Sequence, residues 1–116
     1  MIALPKSIFV ATAPVSLHLS FDRLASIVRE QLGEDPTSST VVVFHNRRRT
    51  HVKLLWHDGK GYCVFYKRLD RGTYRIPLAI PAGASRVAVR REELAALLDG
   101  IDESRIRRAR AVARAA

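Results

Sequence analysis

Three apolar runs separated by two short polar breaks occupy residues 41–69, which read VVVFHNRRRTHVKLLWHDGKGYCVFYKRL. The first break holds Arg47-Arg48-Arg49, and the second holds Asp58-Gly59, a dipeptide typical of tight hairpins. Short runs rich in branched and aromatic residues, joined by such breaks, predict antiparallel strands. We therefore predict a three-stranded meander over residues 40–46, 51–57 and 62–68. The first strand is apolar on both faces and is predicted to be central.

Two helices are predicted on either side of this meander. Over residues 20–32 apolar residues recur at helical spacing, with Ser20 as the N-cap and Gly33 as the residue that ends the helix. Over residues 90–99 leucines and alanines recur in the same way before Gly100. The predicted fold class is therefore α+β, with a small antiparallel β-meander packed against the two helices.

The rest of the chain predicts short elements and a tail. Branched and aromatic residues predict strands at 7–12 and 85–89. The length of 116 residues suits one domain, which we assign to residues 1–102. Residues 103–116 form an arginine-rich C-terminal tail in this scheme. No stretch is long and apolar enough to cross a membrane, and we expect a cytoplasmic protein.

The positive charge of the chain is concentrated in its middle. The formal net charge is +9, and residues 41–91 hold twelve Lys/Arg against two acids. Three consecutive arginines exceed what a turn requires, because turn geometry favours Gly, Asn and Asp. We therefore favour a contact with DNA or with an acidic protein over a merely solvated basic face. The predicted nucleic-acid-binding residues are Arg47, Arg48, Arg49, Lys53, Lys67, Arg68, Arg71, Tyr74 and Arg75.

Aromatic residues in this segment could stack on bases if their rings were exposed. Trp56 alternates with Val52 and Leu54 along one strand, so we predict that it packs in the core. Tyr74 follows the meander between Arg71 and Arg75, and we predict that it is the aromatic residue at the surface. Tyr62 and Tyr66 are the other aromatic residues of this segment that could stack on a base.

Catalytic and metal-binding patterns are weak. His51 and His57 lie about 20 Å apart on one extended strand, too far to share an ion. His45 near His51 would supply two ligands without a third. A lone cysteine, Cys63, forms no internal disulfide or thiolate cage, and it suits a reducing compartment. We predict no cofactor, no metal site and no enzymatic activity. The competing hypothesis is a metal-dependent nuclease that uses Asp58 and Asp70.

The order of these motifs resembles a known bacterial family. The segments FDRLASIV, then the arginine run with KLLW, DGKG and KRL, then VAVRREELAALLDGID, occur with the spacing of that family over residues 2–102. The family comprises accessory proteins encoded in the second reading frame of insertion sequences of the group numbered sixty-six, upstream of the transposase. The chain departs from the pattern at Arg23, where the family has Gly, at Thr50-His51, and over residues 17–20.

The resemblance implies a role in transposition, in a bacterial cytoplasm, with the transposase and other element-encoded proteins as partners. It does not specify a chemistry. Two hypotheses follow from the residues and the resemblance together. In the first, the chain binds DNA, either element ends or a transposase–DNA complex, through its basic hairpin and sheet face. In the second, it is a protein-interaction adaptor that docks the same face on the transposase without touching DNA.

Overall fold

A five-stranded sheet forms the centre of the computed structural model, which describes residues 5–16, 18–76 and 81–100. The order of the strands across the sheet is β4-β3-β2-β1-β5. In chain order the elements are β1 (Ser7–Ala11), α1 (Phe21–Glu30), β2 (Thr40–His45), β3 (His51–His57), β4 (Tyr62–Arg68), β5 (Arg86–Ala88) and α2 (Arg91–Asp99). These bounds fall within a few residues of the predicted ones, and the α+β class is confirmed.

The predicted meander is present, but the sheet extends beyond it. Strands β2, β3 and β4 pair antiparallel in sequence order, and β2 is central as predicted. Strand β1 lies parallel to β2, with Ser7 opposite Thr40, and β5 pairs antiparallel with β1. The sheet is therefore mixed rather than purely antiparallel. Its parallel pair is possible because α1 lies between β1 and β2 in the chain and supplies the crossover.

The two helices cover opposite faces of the sheet. Leu24, Ala25 and Val28 of α1 pack with residues such as Phe44 and Leu55. The other face is covered by α2 and by residues 69–76. Alternation along each strand separates the two cores, because successive side chains point to opposite faces. The second core contains Val10, Val43, Val52, Leu54, Tyr74, Ile76 and Leu97, with Trp56 packed against it. The prediction that Trp56 packs in the core is confirmed.

Local backbone geometry explains where the helices end. Gly33 has a φ of 68°, and the N–H of Glu34 donates to the carbonyl of Val28 at 3.0 Å, so the chain leaves α1 through a left-handed residue. Gly100, with a φ of 71°, follows α2. The longest helix in the described ranges has ten residues, and none there could span a bilayer. The arginine-rich tail predicted over 103–116, like the domain boundary at 102, lies outside the described residues.

Candidate nucleic-acid interface

The turn between β2 and β3 is held by the side chain of Asn46. Its Oδ1 accepts the N–H groups of Thr50 at 2.9 Å and His51 at 3.0 Å, while its Nδ2 donates to Thr50 Oγ1 at 3.0 Å. The N–H of Arg49 donates to the Asn46 carbonyl. Asn is favoured at turn starts because its short amide can satisfy backbone groups a few residues ahead. In the described part of the chain, the side chains of Arg47, Arg48 and Arg49 make no hydrogen bond that holds this turn.

Arg49 closes this turn in a left-handed conformation with a φ of 58°. Among the described residues, Arg49 is the only non-glycine residue with a positive φ. This conformation is unfavourable for any residue that has a Cβ. Asn or Gly would satisfy the backbone better. The arginine is therefore present at a position where turn geometry alone favours another residue.

Residues 69–75 lie alongside this turn. The N–H of Leu69 donates to the Thr50 carbonyl at 3.0 Å, and the N–H of Tyr74 donates to the Arg49 carbonyl at 2.7 Å. In addition, Arg68, the last residue of β4, is paired with His51, the first residue of β3. Strand ends and the following segment therefore converge on one edge of the molecule, which we call the basic end.

Six arginines of the basic end have exposed side chains. They are Arg47, Arg48, Arg49, Arg68, Arg71 and Arg75. Within the described part of the chain none of their guanidinium groups takes part in a hydrogen bond or ion pair. The ion pairs found there join Arg86 to Glu34 and Arg90 to Glu93, outside the basic end. Asp70 is the carboxylate among the residues of the basic end. The six charges are therefore available to an anionic partner.

Two predicted contact residues use their charge inside the fold instead. Lys53, predicted to contact nucleic acid, is instead half-buried on the α1 side of the sheet, and its Nζ donates to the Leu19 carbonyl at 2.6 Å. Its ammonium group also lies 4.7 Å from the centre of the Tyr66 ring. Lys67 is half-buried on the opposite face, and its Nζ donates to the Leu98 carbonyl in the last turn of α2 at 2.8 Å. A cation there stabilises the negative end of the helix dipole.

Tyr74 is not a surface residue, and the prediction that it was exposed is wrong. Its side chain is 1% exposed, and its O–H donates to the Lys67 carbonyl at 3.3 Å. Burial raises the pKa of the Tyr74 phenol. The cause is tertiary, because residues 69–76 fold back over the sheet and carry Tyr74 and Ile76 into the core beside Leu97. A ring in this position has no face for a base.

Tyr66 is the aromatic residue that the structure exposes at the basic end. Its side chain is 50% exposed, and the ring centre lies 5.8 Å from that of His51. The sequence predicts Tyr74 as the surface aromatic residue and leaves Tyr66 as an alternative. The available signal was the position of Tyr66 near the end of the last strand of the meander, where an edge strand lacks a neighbour. The sequence suggested His51 as a metal ligand or a general acid/base group, not as part of a nucleic-acid contact.

Asp58 and Cys63 lie away from these arginines, at the other end of β3 and β4. Asp58 belongs to the β3–β4 turn, and the N–H groups of Lys60 and Gly61 lower the pKa of its carboxyl. Partial burial, then the charge of Asp58, raises the pKa of the Cys63 thiol. Asp70 follows β4, so the seven residues of that strand separate the two aspartates. No cluster of three His, Cys, Asp or Glu side chains suited to a metal occurs within residues 5–16, 18–76 and 81–100.

The site and fold together describe a small basic α+β protein with exposed arginines at one end of its sheet. Comparison with known proteins gives the family. The profile of the IS66 Orf2-like protein family matches residues 6–108, and the chain belongs to that family. This confirms the resemblance to insertion-sequence accessory proteins, and it indicates an accessory role in transposition.

Two relatives come from Sinorhizobium fredii. The chain is 38% identical over 95 residues to the uncharacterized protein y4hO, covering 82% of this chain and 80% of that protein. It is 29% identical over 101 residues to the uncharacterized protein y4jC, covering 87% and 84% respectively. No solved structure matches the chain. The names of these relatives assign no molecular activity.

Proposed function

We propose that this chain is a non-enzymatic accessory protein of DNA transposition that binds the phosphate backbone of DNA through its basic end. The observation that carries the proposal is the convergence of six exposed arginines, unpaired in the described part of the chain, from three separate stretches. Family membership supplies the setting, which is an insertion sequence.

The arrangement suits a nucleic-acid backbone for two physical reasons. Phosphates repeat along DNA, so a group of arginines spread over a turn and its neighbouring segment can each meet a separate phosphate. A guanidinium group binds a phosphate with two parallel hydrogen bonds and keeps its charge at every physiological pH.

Fluorescence anisotropy with a labelled DNA duplex tests the proposal. Six phosphate contacts would give a slope of log K against log salt of up to about −5. Binding that is absent at low salt contradicts the proposal.

A contact with an acidic surface of the transposase is the second candidate function, and the same exposed arginines favour it. Co-purification of the two proteins from cells that carry the whole insertion sequence separates the candidates. If DNA joins them, nuclease treatment abolishes co-purification. If the arginines dock directly on the transposase, co-purification survives nuclease and is lost when Arg47, Arg48 and Arg49 are replaced.

A further inference from the structure

A cleft on the α1 side of the sheet lies next to the arginines of the basic end. It is lined by His51, Tyr66 and Arg68 and has a volume of about 250 Å³. This is below the ~300–1,000 Å³ of pockets that enclose whole small ligands. The cleft is open to solvent, and its size suits part of a nucleotide rather than an enclosed metabolite.

We propose that this cleft binds an unpaired nucleotide of DNA, with the base stacked on Tyr66 and its phosphate on Arg68. The inference rests on the proposed function and deepens it, because it names DNA with unpaired bases as the preferred ligand. In a duplex each base is stacked between its neighbours, so an exposed aromatic ring can stack only on a base that is unpaired or terminal.

Neighbouring side chains contact the Tyr66 ring and orient it, but half of the side chain remains exposed. The Lys53 ammonium lies 4.7 Å from the ring centre, and the His51 ring lies 5.8 Å away at an interplanar angle of 43°. These contacts orient the side chain, yet half of it stays exposed. Helix α1 packs further along the sheet, around Leu55 and Val64, and does not cover this ring. An aromatic ring exposed on a sheet beside cations is the arrangement that single-strand-binding domains use.

His51 supplies a polar group to the same cleft. Asn46 Nδ2 donates to Thr50 Oγ1 at 3.0 Å, so the Thr50 hydroxyl is free to donate to His51 Nδ1, which lies 2.8 Å away. An imidazole that accepts at Nδ1 carries its hydrogen on Nε2 when neutral. That N–H has no partner in the described part of the chain, and it provides a donor for a base edge beside the stacking ring.

Arg68 completes the cleft with a cation. It is exposed, and its register partner across β3 and β4 is His51. The three side chains therefore offer an apolar ring face, a hydrogen-bond donor and a phosphate-binding group within one cleft. These match the base face, the base edge and the backbone of a single nucleotide.

Substitution of Tyr66 in the full chain tests this inference. The probes are an oligothymidylate of about 16 nucleotides and a blunt duplex of equal length, a size within reach of one binding domain. Tyr66→Ala is expected to weaken binding of the single strand by about 5- to 150-fold, the usual loss for one stacked base. It should change duplex binding by less than about twofold. Tyr66→Phe keeps the ring and should bind both probes like the unchanged protein.

Phe65→Ala is the matched control. Phe65 is the neighbouring residue on β4 and is 42% exposed, but it points to the opposite face of the sheet. The Phe65→Ala variant should bind both probes with the affinity of the unchanged protein. In a complex with 5-iododeoxyuridine-labelled single strand, ultraviolet light should cross-link Tyr66 and not Phe65, which tests the contact without any variant that has to fold.

The outcomes separate this inference from the proposed function. If the chain binds neither probe, the proposed function is wrong. If it binds duplex with a steep salt dependence but Tyr66→Ala leaves single-strand affinity unchanged, only the nucleotide cleft is wrong. Equal losses for both probes, or tighter binding of oligouridylate RNA than of the DNA strand, also overturn the cleft as a site for unpaired DNA.

Discussion

The arginine turn between β2 and β3 offers the sharpest prediction for the basic end. We replace Arg47 and Arg48 with Gln and Arg49 with Asn. Glutamine keeps a polar side chain of similar length, and Asn suits the left-handed backbone at residue 49, where φ is 58°. The turn is held by Asn46 rather than by the arginines, so stability should stay within about 0.5 kcal/mol.

The expected loss follows from the number of charges removed. Each phosphate contact contributes about 0.9 to the slope of log K against log salt, so the triple variant should have a slope less steep by about 2.7. Between about 50 and 200 mM salt, the unchanged protein should then lose about 40-fold more affinity than the variant loses. Anisotropy titrations of a labelled duplex at four or five salt concentrations measure both slopes.

The control variant removes the same charge elsewhere. Arg23 and Arg29 are exposed on α1, and Arg91 is exposed at the start of α2. Replacing all three with Gln lowers the net charge equally but leaves the basic end intact. Its salt slope should stay close to that of the unchanged protein. Equal slopes for both triple variants would refute a localised contact and leave only a general attraction between a cationic protein and DNA.

Three further predictions address the fold and its link to the site. Lys67→Met should lower the free energy of unfolding by about 0.5–1 kcal/mol, because the C-terminal end of α2 loses its cation. It should not change the slope of log K against log salt. Arg68→Met should make that slope less steep by about 0.9 and leave the free energy of unfolding unchanged. Gly100→Ala should cost about 1–3 kcal/mol in urea unfolding, since φ is 71° and the new Cβ would lie 2.5 Å from Leu69 Cδ1. An unchanged midpoint would contradict this close packing. The lowered pKa of Asp58 gives stability that is present above the ordinary carboxyl pKa of about 3.9 and is lost as pH falls through the lower folded value. Asp58→Asn should flatten that acid limb in unfolding measured from neutral to acidic pH.

Most of the secondary structure was predictable because its signals are local. Asn46 and Asp58-Gly59 specify turns through their own backbone preferences, and the alternation around Trp56 specifies which face is buried. The parallel pairing of β1 with β2 had no such signal. It depends on how α1 packs across the sheet, and no short stretch of sequence encodes that packing.

The candidate site divides in the same way. Sequence alone located the basic segment, because charge is a property of each residue. Only the tertiary structure decided which charges are available. The ammonium groups of Lys53 and Lys67 donate to the carbonyls of Leu19 and Leu98, which lie 34 and 31 residues away in the chain. Tyr74 is buried in the core, whereas Tyr66 is exposed. A side chain's charge or aromatic character is covalent, but its exposure depends on distant partners, and those partners meet only when the chain folds.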